Sequence, residues 1–239
     1  MTRRAARQEQ HRADIHEAAA RLIAERGFHG MSMRDLAVAT GCGLSSLYNY
    51  FASKEELLAT LQARAFETLI AAAQESMAGV ADPASRLYLF IYNQVQYFTQ
   101  HADVMRVLVH EAAALPAEHR QRVRALKVEY FRVGRDAVAA VFADGCGSAD
   151  GSARGQVAQA ELERVTYSLF GMINWVWAWY DPDLHGTPED VARSIHSLAL
   201  CGLVSHCPSR KLQDDLAPAL KNLGPPSLVG ALPQNAECL

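Results

Sequence analysis

The stretch TGCGLSSLYNYFASKEELL, residues 40–58, places two glycines around a cysteine and follows them with a short segment rich in tyrosine. Leu44, Leu47 and Phe51 follow the three- and four-residue spacing that gathers side chains on one face of a helix. Ser53 stands three residues before a glutamate, a pattern that resembles the capping box at the start of another helix. The stretch therefore predicts a glycine turn, a short helix and the beginning of a longer helix.

Two further helices are predicted upstream of this stretch. The first has an apolar stripe that ends before Gly27, and the members of the stripe are Ile15, Ala18, Ala19, Leu22 and Ile23. Ser32, followed three residues later by Asp35, predicts the capped start of a second short helix, which Gly41 ends. Two short helices joined through a glycine turn have the organisation of a helix-turn-helix, whose second helix lies in the major groove of DNA.

The outer face of the third helix is left to contact DNA. Asparagine can form two hydrogen bonds to adenine, and the side chains of serine, tyrosine and lysine suit bases or phosphate oxygens. Basic residues of an amino-terminal arm and of the second helix extend this surface. The predicted DNA-contacting residues are Arg3, Arg4, Arg34, Ser45, Ser46, Tyr48, Asn49, Tyr50 and Lys54.

Charge is distributed unevenly along the chain. The 239 residues carry a net charge of -3, yet residues 1–64 hold nine basic against seven acidic side chains. This end of the chain can therefore face an anionic partner. The five cysteines are scattered and the amino terminus has no apolar signal segment, so we expect a reduced, cytoplasmic protein without a disulfide framework. The uncharged run 165–180 is shorter than the about 20 residues that cross a bilayer, so we expect no membrane segment.

Residues 32–58, SMRDLAVATGCGLSSLYNYFASKEELL, resemble the DNA-binding signature of the TetR family of transcriptional repressors. The shared features are a helix-start serine, a Leu-Ala pair, a turn glycine, Leu-Tyr-x-Tyr-Phe and Ser-Lys-Glu, and the resemblance covers roughly residues 11–60. It departs at Gly43, where the family usually has a capping serine, and at Leu44, where the family often has a polar or basic residue. The resemblance implies an all-α fold, in which three DNA-binding helices precede a six-helix ligand-binding and dimerisation domain.

Helical periodicity continues through the rest of the chain, without a convincing alternating strand pattern. The predicted helices are 54–77, 83–101, 103–114, 116–142, 157–180 and 188–206, and a Gly/Ser-rich loop is predicted at 143–155. Prolines beyond residue 207 predict a loosely held tail. We therefore divide the chain into a DNA-binding domain at 1–53, a ligand-binding and dimerisation domain at 54–207, and a flexible tail at 208–239.

The last two predicted helices are apolar on nearly all sides, and one protomer could hardly cover both. The resemblance implies that they form a four-helix bundle between two protomers. A dimer also suits a palindromic operator, because its two recognition helices would lie about one DNA turn apart, roughly 34–36 Å. The predicted interface residues are Phe170, Trp177, Ile195, Leu198 and Gly202.

Residues 169–180, LFGMINWVWAWY, are similar to a run in TetR-family members that sense acyl-coenzyme A thioesters. Trp175 and Trp179 would share a helix face and could stack on an adenine or flank an acyl chain, and Asn174 would need hydrogen-bond partners. The tryptophans are equally expected at a dimer interface, where aromatic residues are common. The phosphates of coenzyme A would need basic residues of other helices, namely Arg106, Arg122, Arg124, Lys127, Arg132 or Arg135.

Polar residues on the helix predicted at 83–101 are further ligand candidates. Tyr88, Tyr92 and Gln96 recur every four residues and could orient a ligand in an otherwise apolar pocket. They could equally be core residues whose hydrogen bonds are satisfied within the protein.

Two other functional classes compete with a repressor that an acyl-coenzyme A releases. A multidrug-sensing repressor of an efflux pump would require a buried Glu or Asp to meet cationic drugs, and Glu111 is the nearest candidate. A helical-bundle enzyme is disfavoured, because the sequence has no Glu-x-x-His, Gly-x-Ser-x-Gly or His-Glu-x-x-His motif and no phosphate-binding glycine loop. We predict no catalytic residues, no metal site and no cofactor apart from an inducer, which we expect to be an acyl-coenzyme A. The expected partners are double-stranded operator DNA, this small-molecule inducer and a second copy of the chain.

Overall fold

The computed structural model of the chain describes residues 3–145 and 159–204, and within those ranges its regular structure is helical. The first four helices are α1 (Arg3–Gly30), α2 (Met33–Thr40), α3 (Leu44–Tyr50) and α4 (Lys54–Met77). They are followed by α5 (Pro83–Gln100), α6 (Ala102–His110), α7 (Ala117–Gly145), α8 (Gln159–Asn174), α9 (Val176–Trp179), α10 (Pro182–His185) and α11 (Pro188–Val204). A 3-10 turn, Ala112–Ala114, lies between α6 and α7. The predicted all-α fold is confirmed, and in the described ranges no helix is long and apolar enough to cross a bilayer.

The helices around the turn begin and end where the cap residues predicted. Ser32 and Asp35 cap each other: the Ser32 N–H lies 2.9 Å from Asp35 Oδ2, and the Asp35 N–H lies 3.2 Å from Ser32 Oγ. Gly41 ends α2 in the left-handed region, at φ 67°, which glycine adopts without steric cost. Ser53 Oγ accepts a hydrogen bond of 3.0 Å from the Glu56 N–H at the start of α4. The helix-turn-helix arrangement is therefore confirmed.

Two hydrophobic cores organise the described residues. The first core contains the inward faces of α1, α2 and α3 together with the first turns of α4 as far as Ala63, so it extends past the domain boundary predicted at residue 53. Val107 of α6 also belongs to it. The second core lies among α4, α5, α7, α8, α9 and α11, and Met105 of α6 also belongs to it. Because α4 contributes to both cores, it connects the DNA-binding helices to the larger domain.

The amino-terminal helix is longer than the sequence indicated. α1 begins at Arg3, so the residues expected to form an arm belong to a helix. Its backbone bends at Gly27, where φ is 72°, before the helix continues to Gly30. The first helical segment of α1 therefore ends before Gly27, as the sequence indicated, and residues 28–30 form a short further turn after the bend.

The helix predicted at 157–180 ends earlier than predicted. α8 ends at Asn174, and the short helices α9 and α10 follow. Residues 172–181 contain no proline or glycine that would mark a stop, so the apolar run gave no sign of this end. α7 continues to Gly145, into the loop predicted at 143–155, while most of that loop and the tail at 208–239 lie outside the described residues.

Candidate DNA-binding surface and ligand-binding core

α3 has one buried face and one open face, as its spacing predicted. Leu47 and the residue that caps the helix, Phe51, are almost completely buried in the first core. The open face consists of Ser45, Ser46, Tyr48 and Asn49, with Ser46 partly covered. Tyr48 is 49% exposed, and its side chain is the largest on this face. These side chains are placed to meet base edges and phosphates, and their contact with DNA stays a prediction.

Tyr50 differs from Tyr48 because it packs against α1. Its ring meets that of His11 edge-on, with 5.5 Å between the ring centroids. His11 Nε2 in turn lies 3.3 Å from Cys42 Sγ, in the turn between α2 and α3. Tyr50 and His11 therefore help to hold the turn against α1. Sequence reasoning missed His11, since its role depends on how α1 packs on the turn.

The basic residues predicted to contact DNA differ in their surroundings. Arg34 is exposed on α2. Lys54 Nζ lies 4.3 Å from the centre of the Phe28 ring and 3.5 Å from the carbonyl oxygen of His29, so this lysine also ties α4 to the end of α1. The side chains of Arg3 and Arg4 lie outside the described part of the structure.

A chain of hydrogen bonds crosses the second core. The hydroxyl of Tyr130 on α7 donates to Gln94 Oε1 on α5 at 2.9 Å, and Gln94 Nε2 donates to Asn174 Oδ1 on α8 at 2.7 Å. Gln94 is fully buried. Burial raises the pKa of Tyr130 well above its ordinary value, so the phenol stays neutral. Asn174 thus has the partner that its position required, and the apolar core contains a line of neutral polar groups.

Aromatic rings pack closely around this chain. The centroid of the Tyr130 ring lies 5.4 Å from that of Phe90 and 5.9 Å from that of Phe170. Gly134 on α7 allows this approach, because a Cβ atom at that position would lie 2.6 Å from Phe90 Cζ. The second core therefore combines closely packed aromatic rings with a few hydrogen-bonding groups, and a ligand-binding role for it stays a prediction.

The ligand candidates on α5 lie beside the buried chain and do not belong to it. Tyr88 and Tyr92 stack on each other with 6.1 Å between centroids, and Tyr88 meets His196 of α11 edge-on at 5.4 Å. Both tyrosines and Gln96 are half-buried. The two tyrosines thus pack on each other and, through Tyr88, on α11, and the ligand role of Tyr88, Tyr92 and Gln96 stays a prediction. Sequence reasoning missed Gln94, although its four-residue spacing from buried phenylalanines on both sides could have marked it.

Both parts of the chain match family models. Residues 15–61 match bacterial regulatory proteins of the tetR family, and residues 80–203, more than half of the chain, match the tetracyclin repressor-like C-terminal domain. The chain belongs to the TetR family. It is therefore a regulatory protein and not an enzyme.

Individual relatives agree with this TetR-family assignment. The HTH-type transcriptional repressor KstR2 of Mycobacterium tuberculosis is 34% identical over 110 residues, which cover 46% of this chain and 54% of the relative. The match thus spans about half the length of that relative. KstR2 of Rhodococcus jostii is 26% identical over 196 residues, 81% of this chain and 91% of the relative. The crystal structure of AibR in complex with isovaleryl coenzyme A and operator DNA shares the fold, with a TM-score of 0.66 at 24% identity over 79% of this chain and 97% of that chain.

The TetR-family chain buries part of its predicted dimer interface inside the protomer. Phe170 is 5% exposed and Ile195 is 7% exposed, and both belong to the second core. Their assignment to a dimer interface is therefore corrected, because packing within one protomer already covers them. Leu198 is 66% exposed and stays available to a partner. The surroundings of Gly202 lie outside the described residues.

The three tryptophans all follow the end of α8: Trp175 lies between α8 and α9, and the other two lie in α9. Trp175 is 60% exposed and Trp179 is 42% exposed, and neither joins the hydrogen-bonded chain in the core. Their exposure favours the interpretation as apolar surface for a dimer over the interpretation as ligand contacts. Trp177, which was predicted at the dimer interface, instead faces α6, where its ring meets His110 edge-on at 6.1 Å.

Proposed function

We propose that this chain is a ligand-responsive transcriptional repressor that acts in the cytoplasm. It binds a palindromic operator as a homodimer and is released by an acyl-coenzyme A thioester. The observation that carries the ligand assignment is the buried chain of Tyr130, Gln94 and Asn174 within an aromatic core. Two relatives support the proposal, since KstR2 is a transcriptional repressor and AibR has been crystallised with isovaleryl coenzyme A and operator DNA.

On DNA, α3 would lie in the major groove with its open face toward the bases. Asn49 can form two hydrogen bonds to an adenine, while Tyr48 and Arg34 suit phosphate oxygens. Two protomers would place their recognition helices in adjacent major grooves, about one turn of DNA apart. A palindromic operator follows from the two-fold symmetry of such a dimer.

The polar chain in the core suits an uncharged ligand segment. A thioester carbonyl and the amides of a pantetheine arm are neutral hydrogen-bonding groups, which could take over the bonds that Gln94 and Asn174 now make with each other. Within residues 3–145 and 159–204, no Asp or Glu side chain with a described environment is buried. This part of the chain therefore offers no buried acid to a cationic drug, and a thioester inducer is favoured over the multidrug alternative.

The phosphates of the inducer require basic side chains at the surface, and α7 supplies several. Arg122 pairs with Glu67 at 3.2 Å, and Arg135 donates a hydrogen bond of 3.1 Å to the side chain of Gln159 on α8. Arg124 and Arg132 are exposed on the same helix. We assign the phosphates of the inducer to Arg124 and Arg132, because Arg122 and Arg135 would first have to give up an existing interaction.

Release from DNA would pass through α4. This helix begins beside α3 and ends in the second core, so a ligand that repacks the core also moves the DNA-binding helices. Occupancy lowers operator affinity by the difference in ligand affinity between the two conformations, typically about 1–3 kcal/mol.

The proposal is tested by the anisotropy of labelled DNA from upstream of the protein's own gene, and of fragments selected in vitro. We expect specific binding that a class of acyl-coenzyme A thioesters reverses and that cationic drugs do not reverse. Gln94→Leu should abolish the response to the thioester while preserving operator binding, and Gln100→Leu, at an exposed position of the same helix, is the matched control. Release by cationic drugs alone would overturn the assignment of the inducer to the thioesters. Failure to select any specific DNA would overturn the assignment of the protein as a repressor.

A further inference from the structure

We propose that this protein has a second small-molecule site, which lies between α1, α6 and α9 and takes a small apolar carboxylate. A cavity of about 420 Å³ opens there, within the range of roughly 300–1,000 Å³ that is usual for ligand pockets. The cavity is distinct from the buried chain in the second core. Its occupancy therefore goes beyond the proposed response to a thioester.

One side of the cavity is apolar. Ile23 and Ala24 of α1 and Val107 of α6 line it, and the indole of Trp177 adds a flat aromatic surface. Ile23 and Val107 are almost completely buried. This surface would hold an alkyl or aryl group by removing it from water.

Hydrogen-bond donors line the other side. The indole Nε1 of Trp177 is buried and has no hydrogen-bond partner among the described residues, which costs free energy unless a ligand accepts from it. The guanidinium of Arg106 lies 5.8 Å from the centre of the Trp177 ring. Within the described ranges no carboxylate lies at ion-pair distance from this arginine. His110 also lines the cavity and can supply a further donor.

The acid in the cavity wall is already engaged. Glu111 Oε1 accepts a hydrogen bond of 2.9 Å from the backbone N–H of Phe28, just after the bend in α1. The other polar side chains that line the cavity are those of Arg106, His110 and Trp177. A carboxylate is the acceptor that matches the guanidinium of the arginine and the unpaired indole N–H, and these two groups set the class of ligand.

Occupancy of the cavity would influence DNA binding through α1. The bond between Phe28 and Glu111 joins the DNA-binding helices to α6, and Gly27 beside it also lines the cavity. A ligand in this position contacts both parts of the molecule. It would therefore favour one orientation of the DNA-binding helices over others.

The site can be tested in the full-length chain with Trp177 as the reporter. Trp175→Phe with Trp179→Phe removes the two exposed tryptophans and leaves Trp177 as the only indole. Decanoate and 4-phenylbutyrate are the probes, and their amides, decanamide and 4-phenylbutyramide, are the uncharged controls. We expect a saturable change in Trp177 emission with the acids and none with the amides.

Variants locate the site. Arg106→Gln should weaken binding of both acids by about tenfold, as expected for the loss of a hydrogen bond to a charged group. Arg86→Gln, an exposed arginine on α5 away from the cavity, should leave binding unchanged. Equal binding by the amides, equal binding by Arg106→Gln, or no saturable change would overturn the proposal. Loss of binding in Gln94→Leu would place the acids in the core instead and would overturn it as well, without affecting the proposed response to thioesters.

Discussion

α3 and α9 are both short helices rich in aromatic residues, yet they are formed for different reasons. α3 lies between a glycine turn and the Ser53 cap of α4, and its leucine spacing separates the buried Leu47 from the exposed Tyr48. Neither helix has a side-chain hydrogen bond at its own N-cap, but α9 begins within an apolar run and turns Trp177 toward α6. The comparison teaches that local signals determine the DNA-binding helices, whereas contacts between distant segments determine the end of α8.

The largest expected effect comes from truncating one of two neighbouring side chains of α3, one buried and one exposed. Leu47→Ala should lower the free energy of unfolding by about 2–5 kcal/mol, because it opens a cavity in the first core. Tyr48→Ala should change it by less than about 0.5 kcal/mol and should weaken operator binding instead. Urea unfolding at one protein concentration, together with DNA anisotropy, measures both. Equal destabilisation by the two variants would contradict the assignment of faces.

The packing of α1 on α4 predicts a dependence of stability on pH. His16 Nε2 lies 3.1 Å from Thr60 Oγ1, and burial, with smaller contributions from Arg64 and Arg12, lowers the pKa of His16 from 6.5 to about 4. The folded protein keeps the imidazole neutral, whereas the unfolded chain takes up a proton below pH 6.5. Protonation of His16 therefore does not affect the free energy of unfolding above pH 6.5. As the pH falls from 6.5 toward 4, it lowers the free energy of unfolding by about 3 kcal/mol in total.

His16→Gln removes the titrating group and provides the control for this dependence. Between pH 6.5 and 4, the free energy of unfolding should fall less steeply in the variant than in the parent protein. Parallel pH profiles would show that His16 is not the group responsible.

Two glycines of the larger domain differ in how closely they are packed. Gly134→Ala should lower the free energy of unfolding by about 1–3 kcal/mol, because the added Cβ meets the Phe90 and Phe170 rings at 2.6 and 2.8 Å. Gly171→Ala adds its Cβ where no atom lies within 4 Å, so it should be neutral or stabilising by up to about 1 kcal/mol. Thermal unfolding of both variants measures the difference. A stabilising Gly134→Ala would mean that the aromatic core is loosely packed.

The smallest expected effects concern the caps around α3. Ser53→Ala removes the acceptor for the Glu56 N–H and should cost about 1 kcal/mol. Gly43→Ser places a hydroxyl at an N-cap that now has no side-chain hydrogen bond, and should stabilise the protein by a few tenths of a kcal/mol. Chemical unfolding should rank Ser53→Ala below the parent and Gly43→Ser at or above it. The reverse order would show that contacts elsewhere, and not the caps, hold these helix ends.

The candidate sites could be predicted from the sequence to different extents. The faces of α3 follow from the spacing of Leu44, Leu47 and Phe51, so the open side of the recognition helix is readable from the sequence. The apolar run around Asn174 indicates that this side chain needs a hydrogen-bond partner, but the partner, Gln94, lies eighty positions earlier in the sequence. Pairings across such distances depend on how helices pack, which a helical period does not encode.

The helical fold, the helix-turn-helix and the family signature follow from local features of the chain, because caps, glycine turns and apolar spacing act within a few residues of one another. Contacts between helices, in contrast, set the end of α8 at Asn174, the burial of Phe170 and Ile195 within the protomer, and the position of Trp177 against α6. The physical reason is that a segment apolar on all sides can be buried in several ways. The choice among them is made by the surfaces that pack against it.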